Sequence, residues 1–499
     1  MALQLCLVSK SNTSAKICGF ICENLRAKTL NFMVANLPIS TQNLEAIYQK
    51  QAAFFATGKT LDVAFRKEML RKFLFSLEKY TDALLEAEYK DLRKDTFDAF
   101  GFEIGLVLGE TRSMIRNVDK WARRRRATTP LFHAISSSYL YKEPYGKVLI
   151  MAPWNYPILL LLSPLVGALG AGNTVVLKPS ELAPHTSAVM TQLIRETFSE
   201  EQVAILEGGP EVAQALLGYK WDYVFFTGGT EIGRIVYQAA AKNLTPVTLE
   251  LGGKSPCIVD KDLHFDFATK RILWGKLTNC GQTCVAPDYI LVHKDLKDRF
   301  VARMKELVTE FYGENPQQHP QYARIVNRRH FDRITRLMEP DKILFGGKTD
   351  ANDLYISPTL MEVSDWNCPL MQEEIFGPVL PILTYNTLEE AMQLIKAQPK
   401  PLALYMFSTN NANIKQVMEN VSFGGGCINE TLWHLGNPHL PFSGVGNSGI
   451  GGYHGKYSFD TFSHEKGVLR RSNLLDIWFR YPGQKLSLAV VKFLERWTL

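Results

Sequence analysis

Cysteine is scarce: 8 among 499 residues, at Cys6, Cys18, Cys22, Cys257, Cys280, Cys284, Cys368 and Cys427. That density excludes a disulfide scaffold and fits a reducing, cytosol-like compartment. Cys280 and Cys284 have no second Cys/His cluster nearby to complete four ligands, so no metal site is expected. Charge of one sign is scarce too, because 56 basic residues face 50 acidic ones. A net +6 over this length implies no nucleic-acid partner. Long apolar runs are also missing. The longest, Ile158 to Gly172, spans 15 residues and holds Pro164, whereas a bilayer span needs about 20. It reads as a buried core helix. No internal repeat or low-complexity linker appears.

What is present is an ordinary globular balance, 46% hydrophobic and 21% charged, in a chain long enough for more than one domain. The first 43 residues carry Lys10, Lys16, Arg26 and Lys28 against Glu23 alone. A disordered arm, an early start codon and an organelle presequence stay open as readings there. Helical spacing fills residues 44–92, then about Phe97 to Arg126, closing on the basic run Arg123 to Arg126 as a solvated helix end. From Tyr139 short β-rich runs alternate with helices, which predicts a largely parallel sheet covered on both faces. A second α/β region starts near Gly252. The stretch FDTFSHEKGVLRR suits an edge strand pairing near Tyr139 or with another subunit. The tail from Leu486 is amphipathic, so peripheral membrane contact stays open, but it is too short to span.

Two glycine patterns compete for a phosphate. GVGNSG, Gly444 to Gly449, matches GxGxxG but lacks the strand before and helix after, so it is read as accidental. FFTGGTEIG has that context: a strand at Tyr223 to Phe226, Gly228 and Gly229 in the turn, and Gly233 in the first helical turn. A plain tight turn remains the alternative. In LKPSE, Lys178 could meet a ribose or phosphate oxygen and Glu181 the ribose hydroxyls; both could equally be solvated.

Three residues stand out for chemistry. Cys284 ends NCGQTC on a polar, glycine-rich approach, where backbone N–H groups would lower a thiol pKa; a buried filler is the alternative. Glu250 interrupts an apolar strand just before two glycines, a position for a general base or a salt-bridged core residue. Asn155 in PWNYP would donate to an oxyanion or cap the next helix.

Together, MAPWNYP, VVLKPSE, FFTGGTEIG, VTLELGGKSP, NCGQTCVAPDY, EEIFGPVL and PFSGVGNSGIGGYHGKYSFDTFSH resemble the aldehyde dehydrogenase superfamily, in particular its class 3 or fatty-aldehyde branch, over about residues 44 to 482. The resemblance implies an α/β chain with a Rossmann-like cofactor domain, an α/β catalytic domain and a small β oligomerisation arm. Its boundaries would be 44–124 with 147–251 for the cofactor domain and 252–440 for the catalytic domain. The arm would take 125–146 and 455–472, leaving 1–43 and 473–499 as extensions.

It further implies Cys284 as nucleophile, Glu250 as general base, and Asn155 with the Cys284 N–H as oxyanion hole. Cofactor contacts would be Lys178, Glu181, Gly228, Gly229, Thr230, Glu231, Ile232, Gly233, Arg234, Glu374 and Phe376, with Trp274 in the substrate tunnel wall. The implied cofactor is NAD, with NADP also open because Glu181 would repel a 2′-phosphate only if rigid. The expected partners are an aldehyde and a second copy in a cytoplasmic homodimer. Residues 1–43 have no usual family counterpart, and the end after Tyr481 lacks the membrane anchor of the animal fatty-aldehyde enzymes. An acylating enzyme passing the acyl group to coenzyme A is the alternative, against which Glu250 argues.

Overall fold

A computed structural model describes residues 44–130, 133, 135–476, 481–483 and 488–496. The N-terminal extension discussed above lies outside them. The first parallel sheet uses β1 (Lys147–Met151), β2 (Thr174–Lys178), β3 (Val203–Ile205), β4 (Tyr223–Thr227) and β5 (Val247–Glu250). Their order is β5-β4-β1-β2-β3, with Gly449–Ile450 antiparallel against the outer side of β5. The strands read TVVLK and YVFFT because every residue is buried, as expected when helices cover both faces. Strand order reverses between β1 and β4. In open α/β sheets such a switch point, at the carboxyl ends of the strands, is where ligands bind.

Helix α1 (Pro157–Ala171) follows β1, with all of its residues buried. It packs on the helix Gly105–Ala122 and on the short helix Lys456–Thr461. Helix α2 (Thr230–Ala241) follows β4. The second sheet holds β6 (Pro256–Val259), β7 (Tyr289–His293), β8 (Ile343–Phe345), β9 (Thr359–Glu362), β10 (Val379–Tyr385), β11 (Ala403–Phe407) and β12 (Gly425–Ile428). Its order is β8-β9-β10-β7-β6-β11-β12, parallel except for the β8–β9 pair. Helix α3 (Phe265–Leu277) connects β6 toward β7. The architecture is therefore the expected α/β one, a Rossmann-like sheet beside a second α/β sheet.

A three-stranded arm completes the fold: Arg125–Ala127, Ser136–Pro144 and Ser463–Arg471, with Ser136–Pro144 central. The pairing of the FDTFSHEKGVLRR stretch near Tyr139 holds, with Val468 opposite Tyr139. Two expectations need correction. The strand begins only at Ser463, because Lys456–Thr461 is helical and buries Ser458 and Phe459 against the core. The basic run is exposed and starts at the helix C-cap, Arg123, but does not continue the helix. The helix stops at Ala122, and Arg125 and Arg126 pair with Leu140 and Tyr139. Arg124 lies over the Tyr139 ring at 4.9 Å, so ladder bonds and an aromatic face hold these arginines.

Candidate active site

Asn155 sits in the link between β1 and α1 and is 3% exposed. Its Nδ2 donates to the Gln282 carbonyl (3.1 Å). Its own carbonyl accepts from Asn279 Nδ2 (2.8 Å) and Lys94 Nζ (3.3 Å). The alternative of a helix cap is set aside, since α1 has no side-chain cap bond.

The segment carrying Cys284 leaves α3 through three successive left-handed residues, Asn279 (φ 51°), Cys280 (φ 54°) and Gly281 (φ 75°). Gly281 is required there: a Cβ would fall 2.2 Å from the Gly377 carbonyl oxygen. Such a run is strained, and strain of this kind gathers where a loop must be aimed. It delivers Cys284 into a turn closed by Ala286 N–H donating to the Thr283 carbonyl (2.9 Å).

Glu250, at the end of β5, is 1% exposed and neither carboxylate oxygen has a hydrogen-bond partner. Burial pushes its pKa well above the usual carboxylate range. This removes the salt-bridge reading. The Cys284 thiol is also pushed up, by burial first and then by the Glu374 and Glu250 carboxylates. The N–H groups of Cys284 and Val285 pull it down, but less. The expected lowering by backbone donors is therefore present and outweighed. Glu374 is raised to about 8, mainly by burial and then by Asp288.

Two cavities meet here. A crevice of about 560 Å³ is lined by Pro153 to Asn155, Thr227 to Ile232, Glu250 to Gly252, His330, Arg333 and the segment Gln372 to Glu374 with Phe376. A tunnel of about 380 Å³ is lined mainly by apolar side chains, among them Phe97, Phe102, Leu106, Trp274, Trp433 and Phe442. Leu160, Thr227, Glu250, Leu251 and Cys284 belong to both. A cysteine thiol and a proton-hungry carboxylate thus stand where a polar crevice opens on an apolar channel.

The model of the aldehyde dehydrogenase family matches residues 33–468. The chain belongs to that family. It is 48% identical over 451 residues to 4,4'-diaponeurosporen-aldehyde dehydrogenase of Staphylococcus aureus, covering 90% of this chain and 98% of that protein. It is 45% identical over 426 residues to aldehyde dehydrogenase family 3 member A2 of Rattus norvegicus, covering 85% and 88%. Among solved structures, the substrate-bound state of Staphylococcus aureus AldH superposes with a TM-score of 0.88 at 47% identity, over 91% of this chain and 99% of that one. Indole-3-acetaldehyde dehydrogenase complexed with NAD+ gives 0.79 at 27%, over 87% and 89%. This aldehyde dehydrogenase is NAD(P)-dependent and oxidises aldehydes.

The residues singled out in the sequence divide in two. Cys284, Glu250, Asn155, Gly228, Gly229, Thr230, Glu231, Ile232, Glu374 and Phe376 all line the crevice. Lys178, Glu181, Gly233 and Arg234 are absent from its lining. Lys178, at the carboxyl end of β2, is 5% exposed and its Nζ bonds Glu181 at 2.9 Å. Gly233 faces inward instead: a Cβ would lie 2.5 Å from Leu251, so it serves close packing of α2. Arg234 pairs loosely with Glu231 at 3.7 Å on the surface. Phe376 is held at φ 52°, edge-on to Trp154 (5.6 Å).

Trp274 lies in the tunnel wall, stacked on Trp433 (6.4 Å) and tilted on Phe102 (5.8 Å). Sequence reasoning missed Phe102, Trp433, Phe442 and His454 in the tunnel, and His330 and Arg333 in the crevice. Arg333 Nη2 donates to the Ile375 carbonyl at 2.6 Å and steadies the EEIF segment. Only contacts across the fold reveal these. GVGNSG is a tight loop whose Gly449 pairs with Glu250. No group of three or more potential metal ligands occurs among the described residues.

Proposed function

We propose that this enzyme oxidises apolar aldehydes, medium- or long-chain aliphatic or aromatic, to acids through a covalent Cys284 adduct, and that it belongs to the class 3 branch. The observation that carries this reading is the position of Cys284 and Glu250 in the wall shared by crevice and tunnel.

The crevice fits a dinucleotide. It lies at the switch point of the sheet, and the N-terminus of α2 offers backbone N–H groups to a pyrophosphate. At Gly229 a Cβ would meet nothing within 4 Å, so the backbone is open to a close ligand. Gly228 to Ile232 would line the phosphate side, with Glu374 and Phe376 toward the nicotinamide. Lys178 and Glu181 sit one strand away, where an adenosine ribose would extend; Gly233 and Arg234 act through the shape of α2. A bound nicotinamide would supply the acceptor for the substrate's hydride.

The aldehyde enters by the tunnel, and the Cys284 thiolate, its proton released to solvent, adds to the carbonyl carbon. Asn155 Nδ2 and the Cys284 N–H stabilise the resulting oxyanion. Loss of hydride leaves a thioester, which splits one oxidation into two smaller barriers. Glu250, once ionised, then takes a proton from water as that water attacks the thioester; the C–S bond breaks, the Cys284 thiolate leaves and the acid departs. Thiol and carboxyl both hold their protons more tightly than usual, so activity rises from neutral toward alkaline pH. An acylating enzyme would have no use for a buried, unpartnered Glu250. Acid formed from an apolar aldehyde without coenzyme A supports the hydrolytic reading, and strict dependence on coenzyme A refutes it. A panel of aldehydes scored by kcat/KM with NAD and NADP tests the substrate class; values flat with chain length, or highest for acetaldehyde, would overturn it.

Among the described residues the strand Ser463–Arg471 has one unpaired edge, with Val468 and Leu469 exposed. This supports a homodimer formed through the arm, to be checked by light scattering. Among the described residues no helix is long and apolar enough to cross a membrane. A cytoplasmic location is part of the same proposal, tested by fractionation.

A further inference from the structure

Three ionisable side chains lie buried just behind the oxyanion loop and touch neither cavity. Lys94 is 2% exposed, and Glu88 and Glu103 are 0% exposed. The Lys94 ammonium contacts Glu103 and lies 3.3 Å from Glu88 Oε1. Burial alone would strip its proton, but the Glu103 and Glu88 carboxylates hold it on and raise its pKa. Burial and the neighbouring Glu103 carboxylate push the Glu88 pKa well above the usual range. Such buried charges are weak evidence of stability, because apolar replacements are often neutral or better. Their contacts point elsewhere.

Glu103 Oε2 accepts the N–H groups of Ile158 (2.9 Å) and Leu159 (3.1 Å), the opening turn of α1. Lys94 Nζ donates to the Asn155 carbonyl at 3.3 Å and lies 4.4 Å from the centre of the Tyr156 ring. The Tyr156 hydroxyl bonds Thr283 Oγ1 at 2.8 Å, next to Cys284. One ammonium thus grips both residues that join the start of α1 to the cysteine turn.

We propose that Lys94 is a positioning residue for the oxyanion donor: braced by Glu103, it clamps the Asn155 peptide and the Tyr156 ring so that the Asn155 amide keeps its aim beside Cys284. This rests on the oxyanion role proposed above for Asn155. Displacing such a donor by about 1 Å costs on the order of 10²-fold in rate.

The test is a double-mutant cycle on the full chain with saturating NAD and an apolar aldehyde, reading single-turnover NADH formation and NAD affinity. K94M is expected to slow NADH formation about 10²-fold while NAD affinity stays within about twofold. N155A is expected to slow it similarly. Adding K94M to N155A should then change the rate by no more than about twofold, because the group it aims is already gone. Losses that multiply, or K94M at the wild-type rate beside a slow N155A, overturn the role of Lys94. N155A at the wild-type rate instead overturns the reading of Asn155, and this inference with it. Should K94M not fold, K94M/E103Q, which removes both charges, carries the same cycle. Failure of both to fold would assign Lys94 to stability alone and reject the proposal.

Discussion

The crevice of about 560 Å³ and the tunnel of about 380 Å³ share Cys284 and Glu250, yet the chain supplies their walls in opposite ways. Much of the crevice comes from strand ends and the turns beyond them, so its residues arrive in short contiguous motifs such as Thr227 to Ile232. The tunnel draws on many short segments far apart in the chain, around Phe97, Tyr156, Trp274, Leu402, Trp433 and Tyr453. Binding a constant cofactor calls for backbone geometry; accommodating an apolar chain calls only for area and shape. The first need writes local motifs, the second does not.

Four substitutions would break or sharpen that contrast. At the junction, Cys284→Ser is expected to lower kcat by roughly 10⁴-fold or more while NAD binding, followed by fluorescence titration, stays intact. Retained turnover would mean that the shared wall is not the reacting centre.

Glu250→Gln is expected to slow steady-state turnover by about 10²- to 10³-fold yet leave a burst of NADH near one equivalent per site, seen by stopped flow. The same variant tests burial through stability. Glu250 keeps its proton in the fold well above the ordinary 4.5. Below that value both folded and unfolded chains are protonated and no penalty exists. As pH rises through 4.5 the unfolded chain alone releases its proton, so the wild type loses stability relative to Glu250→Gln until the folded pKa is passed. Melting temperatures of the pair should therefore coincide near pH 4 and separate toward pH 8, with the glutamine variant higher.

On the tunnel side, Trp274→Ala removes a ring stacked on Trp433. The expected result is a loss of about tenfold in kcat/KM for a long apolar aldehyde and a smaller loss for acetaldehyde; equal losses would detach the tunnel from substrate selection. On the crevice side, Glu181→Gln removes an exposed carboxylate beside Lys178. It should shift the NADP-to-NAD preference by about fivefold toward NADP, the effect of one unit charge about 4 Å away in water. No shift would place the adenosine ribose elsewhere.

How much was legible follows the same division. Glycines at Gly228 and Gly229 and a carboxylate at Glu250 amid apolar residues are local anomalies, and the fold brings them together with Cys284. Gly233 was legible as a required glycine but not in its purpose, since Leu251 lies beneath it only after α2 packs on the sheet. The arginine run misled because charge alone cannot distinguish a helix end from a strand whose partner, Leu140 to Ser138, lies beyond a loop. The Lys94–Glu103 pair was invisible. Lysine and glutamate are usually solvated, and the burial of this pair exists only once the chain has folded around it.

By itself the sequence determined the alternation of strands and helices and the glycine turn between β4 and α2, because φ/ψ demands and apolar periodicity act between near neighbours. The tertiary structure alone decided the upward pKa shifts of Cys284 and Glu250, the bore of the tunnel and the grip on Asn155. Each of these depends on which distant atoms displace water from a buried polar group, and that displacement exists only once the core has closed.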